Sequence, residues 1–285
     1  MPIETIAILG VGLIGGSFGL ALRQAGFTGR LIGVSSERTI RDALARGAVD
    51  VGAPIHEALP KADLIYLAQP ISKIIELLPQ VRRLAPEHAL VTDVGSTKVE
   101  IVDRAAELFG EGPFFVGGHP MAGKEGRGVA IADATLFRGA AYALTPLHDE
   151  LPNGEVVNSF LQYLEKLGAE VHVLTAAEHD RVVSWTSHMP QLASTALAAL
   201  VMDAFRDNEG LTLAGSGLRD MTRLAESPFE IWSDILDTNR DNLQQVLSAY
   251  IARLESMRQS LDSTGLAKQF EEANALRQKL PKRDI

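Results

Sequence analysis

The sequence contains no cysteine in its 285 residues, few aromatic residues (6%) and no long apolar run. The missing cysteine excludes disulfides, thiolate nucleophiles and cysteine metal sites together. The most apolar stretch, residues 192–202, is too short to span a bilayer, and the N-terminus lacks the basic region of a signal peptide. These absences predict a cytoplasmic protein that has no membrane partner.

Positive charge is also in short supply. The chain has 27 Lys and Arg against 36 Asp and Glu, which makes a formal net charge of −9. Such a surface repels phosphate backbones, so no nucleic-acid partner is expected. Apolar residues, by contrast, make up 46% of the chain, and at this length they predict a large core divided between about two domains.

Hydrophobic periodicity divides the chain near residue 175. Before that point, short runs rich in β-branched residues alternate with segments of helix length, which is typical of a mainly parallel sheet covered by helices. The predicted strands are residues 5–9, 31–34, 64–68, 90–94, 114–116, 141–144 and 171–174. The fold class predicted is an α/β Rossmann-type N-terminal domain (residues 1–174) followed by an all-α C-terminal domain (residues 175–285).

Two segments of the helical half predict self-association. Apolar residues from Leu243 to Leu261 recur at helical spacing and form one face of an amphipathic helix. The segment 192–202 is apolar nearly all round, so it should be buried within its own domain or between subunits. Because a helical domain of about 110 residues is small for a freestanding core, we expect a homodimer formed through this domain.

A glycine pattern directly follows the first predicted strand and precedes a helical run. In this setting Gly10 permits a tight turn, Gly12 lets the backbone approach a pyrophosphate, and Gly15 lets the helix pack on the strand. The amides at the helix N-terminus then face the anion, so the pattern predicts a dinucleotide site. The cofactor contacts expected here are Gly10, Gly12, Leu13, Ile14, Gly15, Gln69 and Pro70.

The end of the second predicted strand bears on which dinucleotide binds. NAD enzymes usually have an Asp or Glu there to hold the ribose 2′-hydroxyl, but this chain has Ser35. The hydroxyls of Ser35 and Ser36 and the guanidinium of Arg38 suit a 2′-phosphate, so NADP is favoured. Glu37 keeps NAD open, and a solvated loop is the plain alternative.

Polar clusters after the later strands supply candidates for the chemistry. His119 is a candidate proton acceptor, because a neutral imidazole can take the proton of a hydroxyl that is being oxidised. A structural buried histidine is the alternative. Ser96 is expected to hydrogen-bond that imidazole, to cap a helix, or both. Lys98 and Lys124 offer positive charge near the cofactor or substrate, although a surface lysine is the default interpretation.

The helical half adds two arginines and two histidines. Arg219 and Arg223 share a face if their segment is helical, and a guanidinium suits a carboxylate; pairing with a nearby acid is the alternative. His179 and His188 are nine residues apart, which places them on opposite faces of an unbroken helix, so no metal site is expected.

These motifs, in this order, resemble the prephenate and arogenate dehydrogenases of tyrosine biosynthesis over nearly the whole chain. The resemblance is carried by the glycine turn, residues 93–98 (DVGSTK), 118–123 (GHPMAG), 178–180 (EHD), 187–190 (SHMP), 219–223 (RDMTR) and Trp232. The family implies a 6-phosphogluconate-dehydrogenase-like architecture, in which a Rossmann domain is followed by helices that dimerise. It also implies oxidative decarboxylation of prephenate to 4-hydroxyphenylpyruvate with hydride transfer to NAD(P).

The same resemblance implies roles for single residues. His119 is expected to contact the ring hydroxyl of the substrate with support from Ser96, and Arg223 to hold a substrate carboxylate. The other substrate contacts expected are His179, His188, Arg219, Gln191, Lys124 and Glu125.

The chain departs from the family pattern at two of these positions. Many members have a histidine at the place of Gln191 and a threonine at that of Lys124. A cationic Lys124 favours the keto acid prephenate and an anionic Glu125 the ammonium of arogenate, so arogenate dehydrogenase stays open. There are two rival hypotheses. One is another hydroxyacid or imine dehydrogenase of this architecture, and the other is a nucleotide-sensing dimer without catalysis.

Overall fold

The computed structural model describes residues 2–110, 112–148, 150–205, 209–261 and 264–280. The chain forms two compact units, Met1–Val182 with Glu226–Asn239, and Val183–Ala225 with Arg240–Ile285. This division differs from the expected boundary at residue 174, because a segment from late in the sequence belongs to the first unit. None of the helices in the described part of the chain is both long enough and apolar enough to cross a membrane.

One eight-stranded sheet organises the first unit. Its strands are β1 (Thr5–Leu9), β2 (Arg30–Val34), β3 (Val51–Gly52), β4 (Leu64–Leu67), β5 (Leu90–Asp93), β6 (Phe114–Pro120), β7 (Ala141–Pro146) and β8 (Glu170–Val173). The order across the sheet is β3-β2-β1-β4-β5-β6-β7-β8, and every neighbouring pair is parallel except β6 and β7. The Rossmann-type prediction is therefore confirmed, and all seven predicted strands are present. The added strand, β3, is too short to leave a periodic pattern.

The strands alternate between two buried faces, as successive side chains of a strand must. In β1, Ile6 and Ile8 join one hydrophobic core, and Ala7 and Leu9 join the other. The helices of this unit are α1 (Leu13–Gln24), α2 (Glu37–Ala45), α3 (Ile55–Ala58), α4 (Ile71–Leu84), α5 (Val99–Ala106), α6 (Glu155–Lys166), α7 (Ala176–Val183) and, from late in the sequence, α10 (Phe229–Thr238).

Strand β6 is four residues longer than the predicted strand, and the extension carries His119. The extension pairs with β7 in antiparallel register, with His119 opposite Ala143. Gly117 and Gly118 lie in this extension, and the packing around them leaves no room for a side chain. A Cβ on Gly117 would lie 2.3 Å from Thr145 Oγ1, and one on Gly118 would lie 2.5 Å from the Asp93 carbonyl oxygen. These glycines therefore permit close strand packing instead of forming a loop.

The second unit is helical throughout its described elements, so the all-α prediction is also confirmed. A π-helical segment, Ser184–His188, leads into α8 (Met189–Ala204), and α9 (Ser216–Thr222), α11 (Arg240–Gln259) and α12 (Thr264–Lys279) follow. In α8, Leu200 and Met202 are 67% and 55% exposed. The described part of the chain therefore leaves these two side chains uncovered, and burial of the segment between subunits stays a prediction.

Candidate active site

Gly10, Gly12 and Gly15 lie in the turn between β1 and α1 or at the start of α1, and their surroundings differ. Gly10 has φ = +91°, and a Cβ there would lie 2.2 Å from the Ala68 carbonyl oxygen. A Cβ on Gly15 would lie 2.1 Å from the Gly10 carbonyl oxygen. Both positions thus need glycine so that the chain can fold, whatever it binds.

Gly12 differs, because among the described residues no atom lies within 4 Å of the position that its Cβ would occupy. Packing within the chain therefore gives no reason for glycine at this position. Gly12 is also the N-cap of α1, and no side chain caps this helix. The first amides of α1, those of Leu13, Ile14 and Gly15, have no acceptor within the helix and carry its partial positive charge. Open space above backbone donors fits the pyrophosphate of a dinucleotide.

The residues expected to contact the rest of the cofactor lie after β2 and β4. Ser35, Ser36 and Arg38 are exposed at the start of α2. The Ser36 hydroxyl already caps that helix, accepting from the Thr39 amide at 3.3 Å. Gln69 lies beside the glycine turn, with its Cγ 3.1 Å from the position of a Gly10 Cβ. Pro70 is the N-cap residue of α4.

His119 belongs to a hydrogen-bonded relay of buried side chains in the first unit. Its Nδ1 lies 2.8 Å from Nε2 of His179, and Nδ1 of His179 lies 2.8 Å from Oδ1 of Asp180. His119 is 8% exposed, whereas His179 and Asp180 are each 1% exposed. The two histidines are 60 residues apart in sequence and meet because the end of β6 lies against α7.

Two backbone amides at the start of α5 bind Asp180, the last side chain of this relay. Oδ1 of Asp180 also accepts from the Lys98 amide at 2.7 Å, and its Oδ2 accepts from the Val99 amide at 2.9 Å. A helix N-terminus stabilises a carboxylate at this position. The side chain of Asp180 therefore accepts from two backbone amides, which is the role of a carboxylate.

This arrangement determines which nitrogen of each ring carries a proton, and we assign the tautomers from it. An ionised Asp180 can only accept, so Nδ1 of His179 is the donor and its Nε2, in the neutral ring, is an acceptor. Nδ1 of His119 must then donate to His179. The neutral His119 ring consequently has its lone pair on Nε2, the form that a general base requires.

A buried ion pair contacts β6, the strand that carries His119. Asp93 and Lys98 are both fully buried and form an ion pair, and Lys98 Nζ donates to the Gly118 carbonyl oxygen at 2.7 Å. Asp93 Oδ1 accepts from the Gly118 amide at 3.1 Å. Burial lowers the pKa of Lys98, and the Asp93 carboxylate opposes that shift. The default interpretation of Lys98 as a surface lysine is wrong, because its ammonium supports the strand that carries His119.

The expected bond between Ser96 and His119 is not formed. Within the described residues Ser96 has no hydrogen bond to His119, whose Nδ1 is bonded to His179 instead. Ser96 does not cap α5 either, because that helix begins at Val99 with Lys98 as its N-cap. Ser96 is half-buried.

Lys124 and Glu125 are exposed on the loop that follows β6. Lys124 donates to Asp133 at 2.5 Å, and this bond, with help from the Thr135 amide, lowers the pKa of Asp133 to about 2. The positive charge of Lys124 is therefore paired within the first unit.

The other expected substrate residues lie in the second unit. His188 and Gln191 are buried, and Gln191 Nε2 donates to the Leu224 carbonyl oxygen at 2.8 Å. Arg219 is exposed in α9, whereas Arg223 is exposed in the short 3₁₀ turn after it, Arg223–Glu226. The helix containing His179 is not unbroken, because the π-helical segment begins after α7.

Sequence reasoning missed Asp180 and the buried positions of Asp93 and Lys98. Asp180 follows His179 directly, so the pair was visible as a possible base and its orienting acid. No sequence signal, however, links Asp180 to the amides of α5, which are 82 residues away.

In the part of the chain that the structure describes, no three His, Asp or Glu side chains gather in a group that could hold a metal ion.

Two family models match this chain and between them cover most of it. One, described as the nucleotide-binding domain of prephenate dehydrogenase, matches residues 18–173. The other, described as the dimerization domain of prephenate dehydrogenase, matches residues 175–275. The glycine turn lies before the first matched residue, so its interpretation depends on the geometry given above.

Relatives and solved structures of similar sequence also align over nearly the whole chain. Prephenate dehydrogenase of Lactococcus lactis subsp. cremoris is 34% identical over 96% of this chain and 77% of the relative. The Bacillus subtilis prephenate dehydrogenase is 33% identical over 98% of this chain and 77% of the relative.

Among solved structures, prephenate dehydrogenase from A. aeolicus in complex with hydroxyphenyl propionate and NAD+ has a TM-score of 0.89 and 26% identity, and covers 99% of both chains. Synechocystis arogenate dehydrogenase has a TM-score of 0.81 and 32% identity, and covers 96% of this chain and 99% of its own.

Proposed function

Because the chain belongs to the prephenate dehydrogenase family, we propose that it oxidises and decarboxylates prephenate to 4-hydroxyphenylpyruvate with NAD(P)+ as the electron acceptor. The observation that carries this proposal is the relay from His119 through His179 to Asp180, which holds a neutral imidazole in the tautomer of a base. The relay lies in the same unit as a glycine turn that fits a dinucleotide.

The chain's own residues would bind the cofactor and move one proton. The turn with Gly12 and the first amides of α1 would hold the pyrophosphate. Bound NAD(P)+ supplies the acceptor for the hydride that leaves the hydroxyl-bearing carbon. Nε2 of His119 takes the hydroxyl proton, and the resulting imidazolium is stabilised through His179 by the negative charge of Asp180.

Decarboxylation then completes the reaction. As the carbon–oxygen bond gains double-bond character, the bond to the ring carboxylate breaks and carbon dioxide leaves. The electron pair of that bond enters the ring, which becomes aromatic, and the ring oxygen regains a proton. Aromatisation makes the step effectively irreversible, so the protein has mainly to position the substrate and supply the base.

Arg223 is proposed to hold a substrate carboxylate, since a planar guanidinium binds a carboxylate through two parallel hydrogen bonds. Gln191 bonds the carbonyl oxygen of Leu224, the residue after Arg223, so it supports the turn that carries the guanidinium. His188, Arg219, Lys124 and Glu125 remain proposed substrate contacts.

NADP is the proposed cofactor in preference to NAD. No acidic side chain ends β2, and Ser35 and Arg38 are exposed where a 2′-phosphate would be held. Arg38→Ala is expected to raise the KM for NADP+ about tenfold, since a charge-assisted hydrogen bond contributes roughly 1.5–3 kcal/mol, and to change the KM for NAD+ little. Arg30→Ala, at the opposite end of β2, is the control of equal charge.

An initial-rate assay with prephenate or arogenate, each with NAD+ or NADP+, tests the function directly. Turnover is expected to be fastest with prephenate. Faster turnover with arogenate would identify the second candidate, which the 32% identity to the Synechocystis enzyme keeps open. His119→Asn should lose at least a hundredfold in kcat. If that variant keeps its turnover and pH profile, His119 is not the base.

The assembly proposed is a homodimer formed by the second unit. Leu200 and Met202 of α8 and Ile251 and Leu254 of α11 are exposed apolar side chains of that unit. A second copy of the chain would remove them from water, and the family model for this region is described as a dimerization domain.

A further inference from the structure

Helix α10 comes late in the sequence but is anchored on the first unit. Ile235 is buried in one of the two cores of that unit. Asp234 caps the start of α4, accepting from the amide and from the hydroxyl of Ser72, both at 2.9 Å. Glu230 pairs with Arg127 at 3.1 Å. These contacts along its length hold α10 in one position against the sheet and its helices.

The last residue of this helix and the C-cap residue after it bond to Asp180 and to the segment that holds Asp180. Asn239, which is 3% exposed, donates from Nδ2 to the main-chain carbonyl oxygen of Asp180 at 2.9 Å. Thr238 Oγ1 lies 2.7 Å from Thr97 Oγ1. Because Thr238 donates its own proton to the Asp234 carbonyl oxygen at 2.7 Å, Thr97 is the donor in the bond between the two threonines.

These two bonds hold both sides of the hydrogen bond between the Asp180 carboxylate and the Lys98 amide. Asn239 holds the backbone of Asp180, and Thr238 holds the residue before Lys98, whose amide donates to that carboxylate. A rotation of either backbone would lengthen the bonds around Asp180 and with them the bond from His179. The tautomer of His119 depends on that series of bonds.

We propose that Asn239 and Thr238 are positioning residues for His119, and that they keep its lone pair on Nε2 by fixing Asp180 against the start of α5. The inference rests on the proposed function in that His119 is taken as the base. Neither residue touches the reacting atoms, so the effect passes through Asp180 and His179. A helix from the C-terminal half thereby completes the base of the N-terminal half.

The test compares Asn239→Leu and Thr238→Val, which keep the approximate shape and remove the hydrogen bonds, with Ser233→Ala. Ser233 lies on the same helix, and its hydroxyl donates to the Glu230 carbonyl oxygen of that helix, its one bond among the described residues. The readouts are kcat, the KM for prephenate, the pH profile of kcat, the melting temperature, and the imidazole ¹⁵N signals that report the protonated nitrogen of each histidine.

Removal of a hydrogen-bond partner that orients a functional side chain typically lowers activity about 10- to 100-fold. Asn239→Leu should therefore lower kcat at least tenfold. The KM for prephenate should change by less than about threefold, because no substrate contact is removed. The acid limb of the pH profile should shift, and the ¹⁵N pattern of His119 and His179 should change to a mixture of tautomers. Ser233→Ala should match the wild type in every readout.

A lower melting temperature with wild-type kcat, pH profile and ¹⁵N signals would show a merely structural role and overturn the proposal. If Asn239→Leu does not fold, Thr238→Val decides by the same readouts. If the wild type fails to turn over prephenate, the proposed function fails, and the ¹⁵N signals still decide whether these residues control the tautomer of His119. The two failures are therefore distinguishable.

Discussion

Replacing Gly12 by alanine should weaken cofactor binding and leave the fold nearly unchanged. The φ angle of Gly12 is −88°, outside the positive range that favours glycine, and no atom of the described residues lies within 4 Å of the new methyl group. Alanine is a poorer N-cap than glycine, so the expected loss of unfolding free energy is about 1 kcal/mol or less. The methyl group instead occupies the space above the amides of α1.

The size of the binding defect follows from those amides. If the methyl group costs the pyrophosphate one charge-assisted hydrogen bond, the loss is roughly 1.5–3 kcal/mol. Since 1.4 kcal/mol corresponds to about a tenfold change, Kd for both NAD+ and NADP+ should rise about 10- to 100-fold. Isothermal titration calorimetry measures Kd, and a thermal melt measures the stability of the same sample.

Gly15→Ala is the matched control, because its methyl group meets protein in place of open space. Its Cβ would lie 2.1 Å from the Gly10 carbonyl oxygen and 2.9 Å from Ile8 Cγ2. Helix α1 must then move away from β1, at an expected cost of about 1–3 kcal/mol in stability. Wild-type Kd values for both cofactors in Gly12→Ala, with Gly15→Ala destabilised, would refute the assignment of this turn to a dinucleotide.

Three further perturbations test other parts of the molecule. Asp180→Asn places an amide where the relay needs an acceptor, so kcat should fall at least about tenfold with a shifted pH profile; an unchanged profile contradicts the relay. Lys124→Met should raise the pKa of Asp133 from about 2 in a ¹³C titration. Because that pKa is lower in the folded state, the pair stabilises the fold above about pH 4 and loses the effect as pH falls towards 2, by an amount kept small by exposure. Leu200→Asp should convert a dimer to monomers in light scattering; an unchanged mass excludes α8 from the interface.

The hydrophobic runs predicted seven strands because a strand buried on both faces needs an unbroken series of apolar side chains. Strand β6 was predicted too short, since Gly117 and Gly118 are typical of loops when only neighbours in sequence are considered. In the sheet they face Thr145 and Asp93, which leave no room for a side chain. The reversed direction of β7 likewise leaves no local signal.

The candidate site was likewise predicted in part from the sequence and missed in part. The glycine turn is a local motif, readable because a strand, a tight turn and a helix follow one another within a few residues. His119 was a candidate from its own chemistry. Its partner was predicted to be Ser96, however, and the bond that forms is to His179, 60 residues further along the chain.

The sequence by itself determined the sheet and helix segments, the glycine turn and the candidate base, because periodicity, glycine conformation and side-chain chemistry are properties of neighbouring residues. Only the tertiary structure decided which nitrogen of His119 carries the proton and that Lys98 is buried. It also decided that Asn239 belongs with the N-terminal unit. Hydrogen bonds between distant segments depend on where the packed strands and helices end, and no local pattern encodes that position.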